Sequence, residues 1–324
     1  NTLLTPDDYA YIAAHCRARA LVVSESLLPQ LQPTLDSGQH DIEHVIVSEP
    51  TQTAAGRLGF ESLLADAPIV AAARTLADEI AFWLYSSGST GKPKGVVHTH
   101  GNLWHTAELY AKPVLGIREE DVAFSAAKLF FAYGLGNGLT FPLSVGATTI
   151  LMAERPTPQA VFKRLTMHRP SVFYGVPTLY ASMMASPDLP ARDTVAMRIC
   201  ASAGEALPRD IGERFTRHFG CQILDGIGST EMLHIFLSNQ LRQQAFGHHQ
   251  RACPAVGRDV GVVIRREQGV DGDRDHTRVQ RAQKGDRPVH RVVHHHQYVL
   301  FAAQAESAQR AAKAGHALGK FAVA

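Results

Sequence analysis

One stretch of this sequence concentrates groups that hold anions. Ser86, Ser87, Gly88, Ser89, Thr90, Gly91, Lys92, Pro93 and Lys94 follow the apolar run "IAFWLY" (80–85) and precede "GVVHTH". Glycine lets backbone N–H groups come close to a ligand, hydroxyls add donors and lysine adds charge, which is what a polyphosphate needs. The spacing departs from the common phosphate loop GxxxxGK[ST]. Gly88 and Gly91 are too close together, and Pro93 follows Lys92 where a hydroxyl residue is required. Pro93 also removes an N–H and disfavours helix at Lys92. A solvated Gly/Ser turn is the alternative. It explains the small residues but not the order Thr-Gly-Lys-Pro-Lys between two apolar strands.

Other patterns carry less. Gly134-x-Gly136 resembles the start of a dinucleotide fingerprint, but Leu139 stands where its third glycine belongs. The histidines of "VVHHHQ" (292–297) are consecutive, and consecutive residues do not converge on one metal as spaced pairs do. "DGDRDHTRVQRA" (271–282) begins like a calcium loop, yet has His276 at its sixth position and Ala282 at its twelfth. Cys16, Cys200, Cys221 and Cys253 form no CxxC pair, so neither a zinc site nor a disulfide framework is expected. Reduced thiols fit a cytoplasmic protein.

The elements that must position these groups alternate between strand and helix patterns from Ala20 to Asp225. "ALVVS" (20–24), "HVIVS" (44–48), "IAFWLY" (80–85), "ATTILMA" (147–153), "SVFYG" (171–175), "AMRICAS" (196–202) and "CQILDG" (221–226) read as strands. In "TPQAVFKRLTMH" (157–168) Thr157 suits a helix cap and Pro158 the first helical position. In "LPRDIGERFTRHFG" (207–220) Ile211, Phe215 and Phe219 share one helical face, and Gly220 is placed to end the helix. This alternation predicts an α/β fold with a largely parallel sheet, which binds ligands at the carboxyl ends of its strands.

Composition bounds the class. The 324 residues are 45% hydrophobic and 19% charged, as expected of a globular protein with two domain-sized units. Residues 129–153 carry no charge, but their glycines and proline read as loop plus short strands rather than a membrane span. The chain opens without Met and without a secretory leader, like the middle of a protein. Residues 241–324 hold 14 basic and 7 acidic residues, net +7; residues 1–240 hold 18 and 23, net −5. Past Gln240 no sustained period of 2 or 3.6 remains. The positive tail could attract nucleic acid only non-specifically, since no aromatic interleaving supports a binding module.

"YSSGSTGKPKGV" (85–96) closely resembles the nucleotide loop of the acyl-adenylate-forming enzymes: acyl-CoA synthetases, adenylation domains and luciferases. Two further blocks come in the family's order. "SAGEALP" (202–208) resembles its adenine turn and "DGIGSTE" (225–231) its Thr/Glu block. "KLFFAYGLGNG" (128–138) and "GSTEMLHIF" (228–236) look most like the benzoate–CoA ligase branch. The resemblance implies the large N-terminal domain of that fold, made of layered α/β subdomains, over about residues 1–239. It implies a two-step reaction. A carboxylate attacks the α-phosphorus of ATP to give acyl-AMP and pyrophosphate, and the CoA thiol then displaces AMP.

Residue by residue, the resemblance places Ser86, Ser87, Ser89, Thr90, Gly91 and Lys94 around the β- and γ-phosphates, and Glu231 on Mg²⁺. A capping box at Gly228-Ser229-Thr230-Glu231 is the alternative for Glu231. Thr230 is expected at the α-phosphate. Gly204, Glu205 and Ala206 are expected at adenine, with Asp225 beside it. Thr90, Lys94, Thr230 and Glu231 form the implied catalytic set. For a flat ring, Ala132, Gly134 and Gly136 would leave room, Tyr133, Ile227 and Gly228 would give walls, and Phe131 beside Phe130 would gate the carboxylate entrance. His234 is expected to hydrogen-bond the carboxylate.

The family continues with a ribose-binding Asp, a hinge and a small domain bearing a lysine, and residues 240–324 match none of these. A frameshifted, otherwise non-homologous or disordered tail is expected there, with impaired turnover. The expected partners are a small aromatic carboxylate, ATP and CoA, without nucleic acid or membrane and with a homodimer left open. The alternatives are a non-catalytic fragment that binds nucleotide or aromatic acid, and a ligase for hydroxy-, amino- or halobenzoate.

Overall fold

The computed structural model describes residues 1–52, 54–87 and 91–239. Its strands are β1 (Ala20–Ser24), β2 (His44–Ser48), β3 (Arg57–Gly59), β4 (Ile80–Ser86), β5 (Lys94–Thr99), β6 (Val122–Ser125), β7 (Thr148–Ile150), β8 (Val172–Gly175), β9 (Ile199–Ala203), β10 (Ile223–Gly228) and β11 (Ile235–Ser238). They form a sheet β1-β2-β3, a hairpin β4-β5 and a six-stranded sheet in the order β11-β10-β9-β8-β6-β7. The large sheet is parallel except for its edge pair β10-β11.

The helices are α1 (Pro6–Cys16), α2 (Leu28–Ser37), α3 (Phe60–Asp66), α4 (His100–Thr106), α5 (Ala132–Leu135), α6 (Phe141–Val145), α7 (Pro158–Met167), α8 (Pro177–Ala185) and α9 (Arg209–Phe219). Each large-sheet strand sends alternate side chains to opposite faces. Phe124, Phe173, Cys200 and Ile223 meet Val161, Phe162 and Leu165 of α7, Tyr180 and Met183 of α8, and Phe215 and Phe219 of α9. Ala123, Val172, Tyr174, Ile199, Ala201 and Leu224 meet Tyr110, Ala111, Leu115 and Phe141 on the other side. Strands covered on both faces read as nearly continuous apolar runs, which is why they stand out in the sequence.

The caps formed as expected. The Thr157 side chain accepts from the Ala160 N–H, and Gly220 ends α9 at φ 69°. Gly220 could not carry a side chain without displacing Arg192, because a Cβ there would lie 2.4 Å from the guanidinium.

Residues 129–153 differ from expectation. They are mostly helical, running from α5 through a π-helical turn (Gly136–Thr140) into α6, with only β7 as strand. The glycines that suggested loop serve close packing inside this helix. A Cβ at Gly134 would meet the Lys128 carbonyl oxygen at 1.9 Å. No described helix is long and apolar enough to cross a membrane. Cys16, Cys200 and Cys221 are free thiols, while Cys253 falls outside the described residues.

Candidate active site

Because β6, β8, β9 and β10 run parallel, their carboxyl ends share one edge of the sheet. Three sequence motifs gather there. Gly175 at the end of β8 accepts a hydrogen bond from the Tyr133 hydroxyl at 3.2 Å, which brings the start of α5 to this edge. The turn Gly204–Ala206 leaves β9, with Gly204 at φ 102° and all three residues exposed. The turn 229–234 joins β10 to β11.

Asp225 on β10 anchors the turn after β9: its Oδ2 accepts the Leu207 N–H at 3.1 Å. Its Oδ1 is buried with no partner among the described residues. The segment Gly228-Ser229-Thr230-Glu231 opens no helix, so the capping-box alternative for Glu231 is excluded. It is instead a hairpin turn, closed by the Leu233 N–H on the Thr230 carbonyl at 3.1 Å and the Met232 N–H on Ser229 Oγ at 3.2 Å. Glu231 is exposed at its tip, and Ile227 is half exposed beside a bulge.

The phosphate-type loop is the tip of the antiparallel hairpin β4-β5, where Ser86 pairs with Lys94. Ser87 and Lys94 are exposed, and Gly91 adopts φ 83°. Gly88, Ser89 and Thr90 lie outside the described residues. Lys92 Nζ sits 5.6 Å from the Tyr11 ring centroid, a cation–π contact that turns it toward α1. The hairpin rests on α1 through His15 Nδ1, 2.8 Å from the Tyr85 hydroxyl. Burial pushes the Tyr85 phenol up to about 12. At the other end, His98 Nε2 donates to the Thr230 carbonyl at 2.9 Å, tying the hairpin to the turn 229–234.

His234 lies 2% exposed among Phe141, Tyr110 and Tyr133, at ring distances of 4.4, 5.2 and 5.4 Å. Its Nε2 donates to Asn137 Oδ1 at 3.0 Å. Its Nδ1 is buried without a hydrogen bond. Desolvation drives the imidazole down to about 3, against an opposing pull from the Tyr133 backbone, so the ring is neutral. With the proton on Nε2, the ring N–H has Asn137 Oδ1 as its acceptor in this arrangement.

The room expected beside two glycines is also occupied. Lys128 backbone fills the space at Gly134, and the His234 ring fills it at Gly136, where a Cβ would stand 2.5 Å from Cδ2. Ala132 remains part-exposed and Phe131 is 49% exposed, its ring 4.6 Å from that of Phe130.

Sequence reasoning missed His98, Asn137 and Tyr110. Asn137 had a signal, being a polar side chain in an uncharged stretch that must find a buried partner. His98 falls on the same face of β5 as Lys94, four residues on, which points it the same way from the strand.

Among the described residues, no cluster of three or more His, Cys, Asp or Glu could hold a metal. Mg²⁺ takes one or two carboxylates and completes its shell with phosphate oxygens and water, and the chemistry of the exposed Glu231 carboxylate fits such an ion.

Residues 1–268 match the family described as AMP-binding enzyme. The chain is 58% identical over 255 residues to a benzoate–CoA ligase of Thauera aromatica, covering 78% of this chain and 47% of that protein. A crystal structure of a benzoate–CoA ligase from Burkholderia xenovorans aligns with TM-score 0.68 and 66% identity, covering 74% of this chain and 47% of that one. An anthranilate–CoA ligase in complex with anthranoyl-AMP aligns with TM-score 0.71 and 38% identity, covering 75% and 47%. The chain thus spans about half the length of the curated relatives it matches.

Proposed function

The chain belongs to the AMP-binding enzyme family, and from that premise we propose that it carries the nucleotide and acid-binding part of an ATP-dependent benzoate–CoA ligase. The observation that carries the reading is the gathering of the adenine-type turn, the Thr/Glu turn and the Tyr133 wall at one sheet edge, with the phosphate-type hairpin tied to the Thr/Glu turn by His98.

In this reading Gly204, Glu205 and Ala206 lie against adenine, and Asp225 Oδ1 offers it an acceptor. Ser86, Ser87, Ser89, Thr90, Gly91 and Lys94 surround the β- and γ-phosphates. Thr230 meets the α-phosphate. Glu231 would hold Mg²⁺, which would supply charge neutralisation at the phosphate oxygens.

The protein's work is to bring two anions together and to place fixed donors where charge builds at phosphorus. The carboxylate oxygen attacks the α-phosphorus and pyrophosphate departs. The sulfur of CoA then attacks the acyl carbon and AMP leaves. ATP and CoA as co-substrates suit a cytoplasmic location.

Phe131, Ala132, Tyr133, Ile227 and Gly228 form the acid pocket, with His234 as a neutral wall behind them. The Tyr133 hydroxyl is spent on the Gly175 carbonyl, and Ala132 and Ile227 are apolar. A plain ring therefore loses nothing here, whereas a ring hydroxyl or amine finds no dedicated partner. This favours benzoate over its hydroxy and amino derivatives, which a substrate panel tests.

Residues 240–324 lie outside the described residues, and the family match runs to residue 268, past the last recognised motif. We place the end of the shared sequence between Gln240 and residue 268, where the family match stops, and read the residues beyond it as a non-homologous tail. Translating another reading frame of the coding DNA past codon 240 should restore the family's motifs; failure to do so refutes a frameshift.

The decisive assay measures pyrophosphate release with benzoate and ATP, then benzoyl-CoA on adding CoA. We expect specific nucleotide binding with weak turnover from this chain. No nucleotide binding would refute the site, and rapid benzoyl-CoA formation would refute the reading of the tail.

A further inference from the structure

We propose that His98 is a positioning residue that sets the Thr230–Glu231 peptide for nucleotide binding. The proposal rests on the nucleotide site described above.

His98 is 1% exposed, and both its ring nitrogens are engaged. Nε2 lies 2.9 Å from the Thr230 carbonyl and Nδ1 lies 3.2 Å from Asn102 Nδ2. Asn102 Oδ1 in turn accepts from Thr99 Oγ at 3.2 Å. The Thr230 carbonyl can only accept, so Nε2 carries the proton. In the neutral ring Nδ1 then accepts from the Asn102 amide N–H. The ring is packed against Phe82, with centroids 5.3 Å apart.

The bond spans 132 positions of chain and joins two separate sheets. It also reaches a functionally placed atom. The Thr230 carbonyl closes the turn by accepting from Leu233, and His98 is its second donor. Fixing that carbonyl fixes the plane of the peptide linking Thr230 to Glu231, and so the directions in which both side chains leave it. Lys94 and His98 share one face of β5. The strand therefore carries a phosphate group's partner at its tip, and four residues inward it carries the strut that aligns the opposite wall.

The test uses the full chain and two substitutions. His98→Leu removes the donor, while His98→Gln keeps an N–H able to reach the Thr230 carbonyl. Binding of ATP with Mg²⁺, binding of adenosine, and thermal unfolding are measured for each. The expected result is a loss of about tenfold in ATP affinity in His98→Leu, the scale of one buried hydrogen bond. Adenosine binding should change little, and His98→Gln should recover most of the ATP affinity.

ATP binding unchanged in a folded His98→Leu overturns the proposal. So does a loss shared equally by ATP and adenosine, or one His98→Gln does not recover. If His98→Leu does not fold, the wild-type ring still decides. Imidazole nitrogen NMR should show a neutral His98 protonated on Nε2, and a proton on Nδ1 overturns the inference. A wild-type chain that binds neither ATP nor adenosine refutes the nucleotide site itself, and the positioning role with it.

Discussion

Gly136 and His234 are built against one another. A Cβ at position 136 would lie 2.5 Å from His234 Cδ2, 2.9 Å from its Nε2 and 3.0 Å from Phe141 Cζ. The π-helical turn beginning at Gly136 also supplies Asn137, which accepts the His234 N–H. Glycine brings the helix backbone onto the ring, and the next residue holds the ring in place. Gly136→Ala should therefore cost about 1–3 kcal/mol of stability through overpacking and weaken benzoate binding. Gly138→Ala, whose nearest neighbour is the flexible end of Leu129 at 3.1 Å, should cost less. Denaturant melts of the two variants compare them directly. Equal losses would show that the His234 contact is not special.

Lys94 is exposed at the start of β5, opposite Ser86. Lys94→Ala should slow adenylation by about 10²-fold, as expected for removing one charge-stabilising donor, while leaving benzoate binding nearly intact. Equilibrium binding of benzoate beside pyrophosphate release separates the two. Loss of benzoate binding alone would move Lys94 out of the phosphate site.

His234 titrates at about 3 because burial opposes its charge. It stays neutral across ordinary pH, so benzoate binding should not change between about pH 5 and 8 on its account. A binding midpoint near the ordinary histidine value that disappears in His234→Phe would refute the neutral ring.

At the opposite edge of the sheet, Asp121 is 2% exposed and bonded by Arg198 Nε at 2.8 Å and Ser171 Oγ at 2.7 Å. Desolvation pushes its carboxyl up, but bonds from Arg198, Ser171 and the Arg118 N–H outweigh this, and the net shift is downward. A carboxyl whose folded pKa is lowered contributes stability that is fully present above its unfolded value of about 3.9. That stability is lost as pH falls through the folded value. Arg198→Met should therefore destabilise by about 3–5 kcal/mol near neutral pH, by leaving a buried charge unpaired. The gap from wild type should narrow in acid below about pH 4. A gap independent of pH would remove Asp121 from the acid response.

Local structure was legible in the sequence. A strand buried on both faces must be apolar nearly throughout, as in "SVFYG", whose last four residues are β8. The valine-rich runs "ALVVS" and "HVIVS" are β1 and β2 residue for residue. The stripe Ile211, Phe215 and Phe219 and the stop at Gly220 likewise stem from backbone geometry within a few residues.

The tertiary structure alone decided what meets each of these residues. Gly134 and Gly136 looked like room for a ligand and proved to be room for Lys128 backbone and the His234 ring. His234 stood out as a candidate carboxylate partner, and the fold sets its Nε2 3.0 Å from Asn137 Oδ1, 97 positions away. His98 shares a strand face with Lys94, but nothing local names its partner, because Thr230 lies 132 positions on. The physical reason is the same in each case. Periodicity and capping are properties of neighbouring residues, whereas a hydrogen bond or a steric limit between distant residues exists only once the sheet has placed their backbones side by side.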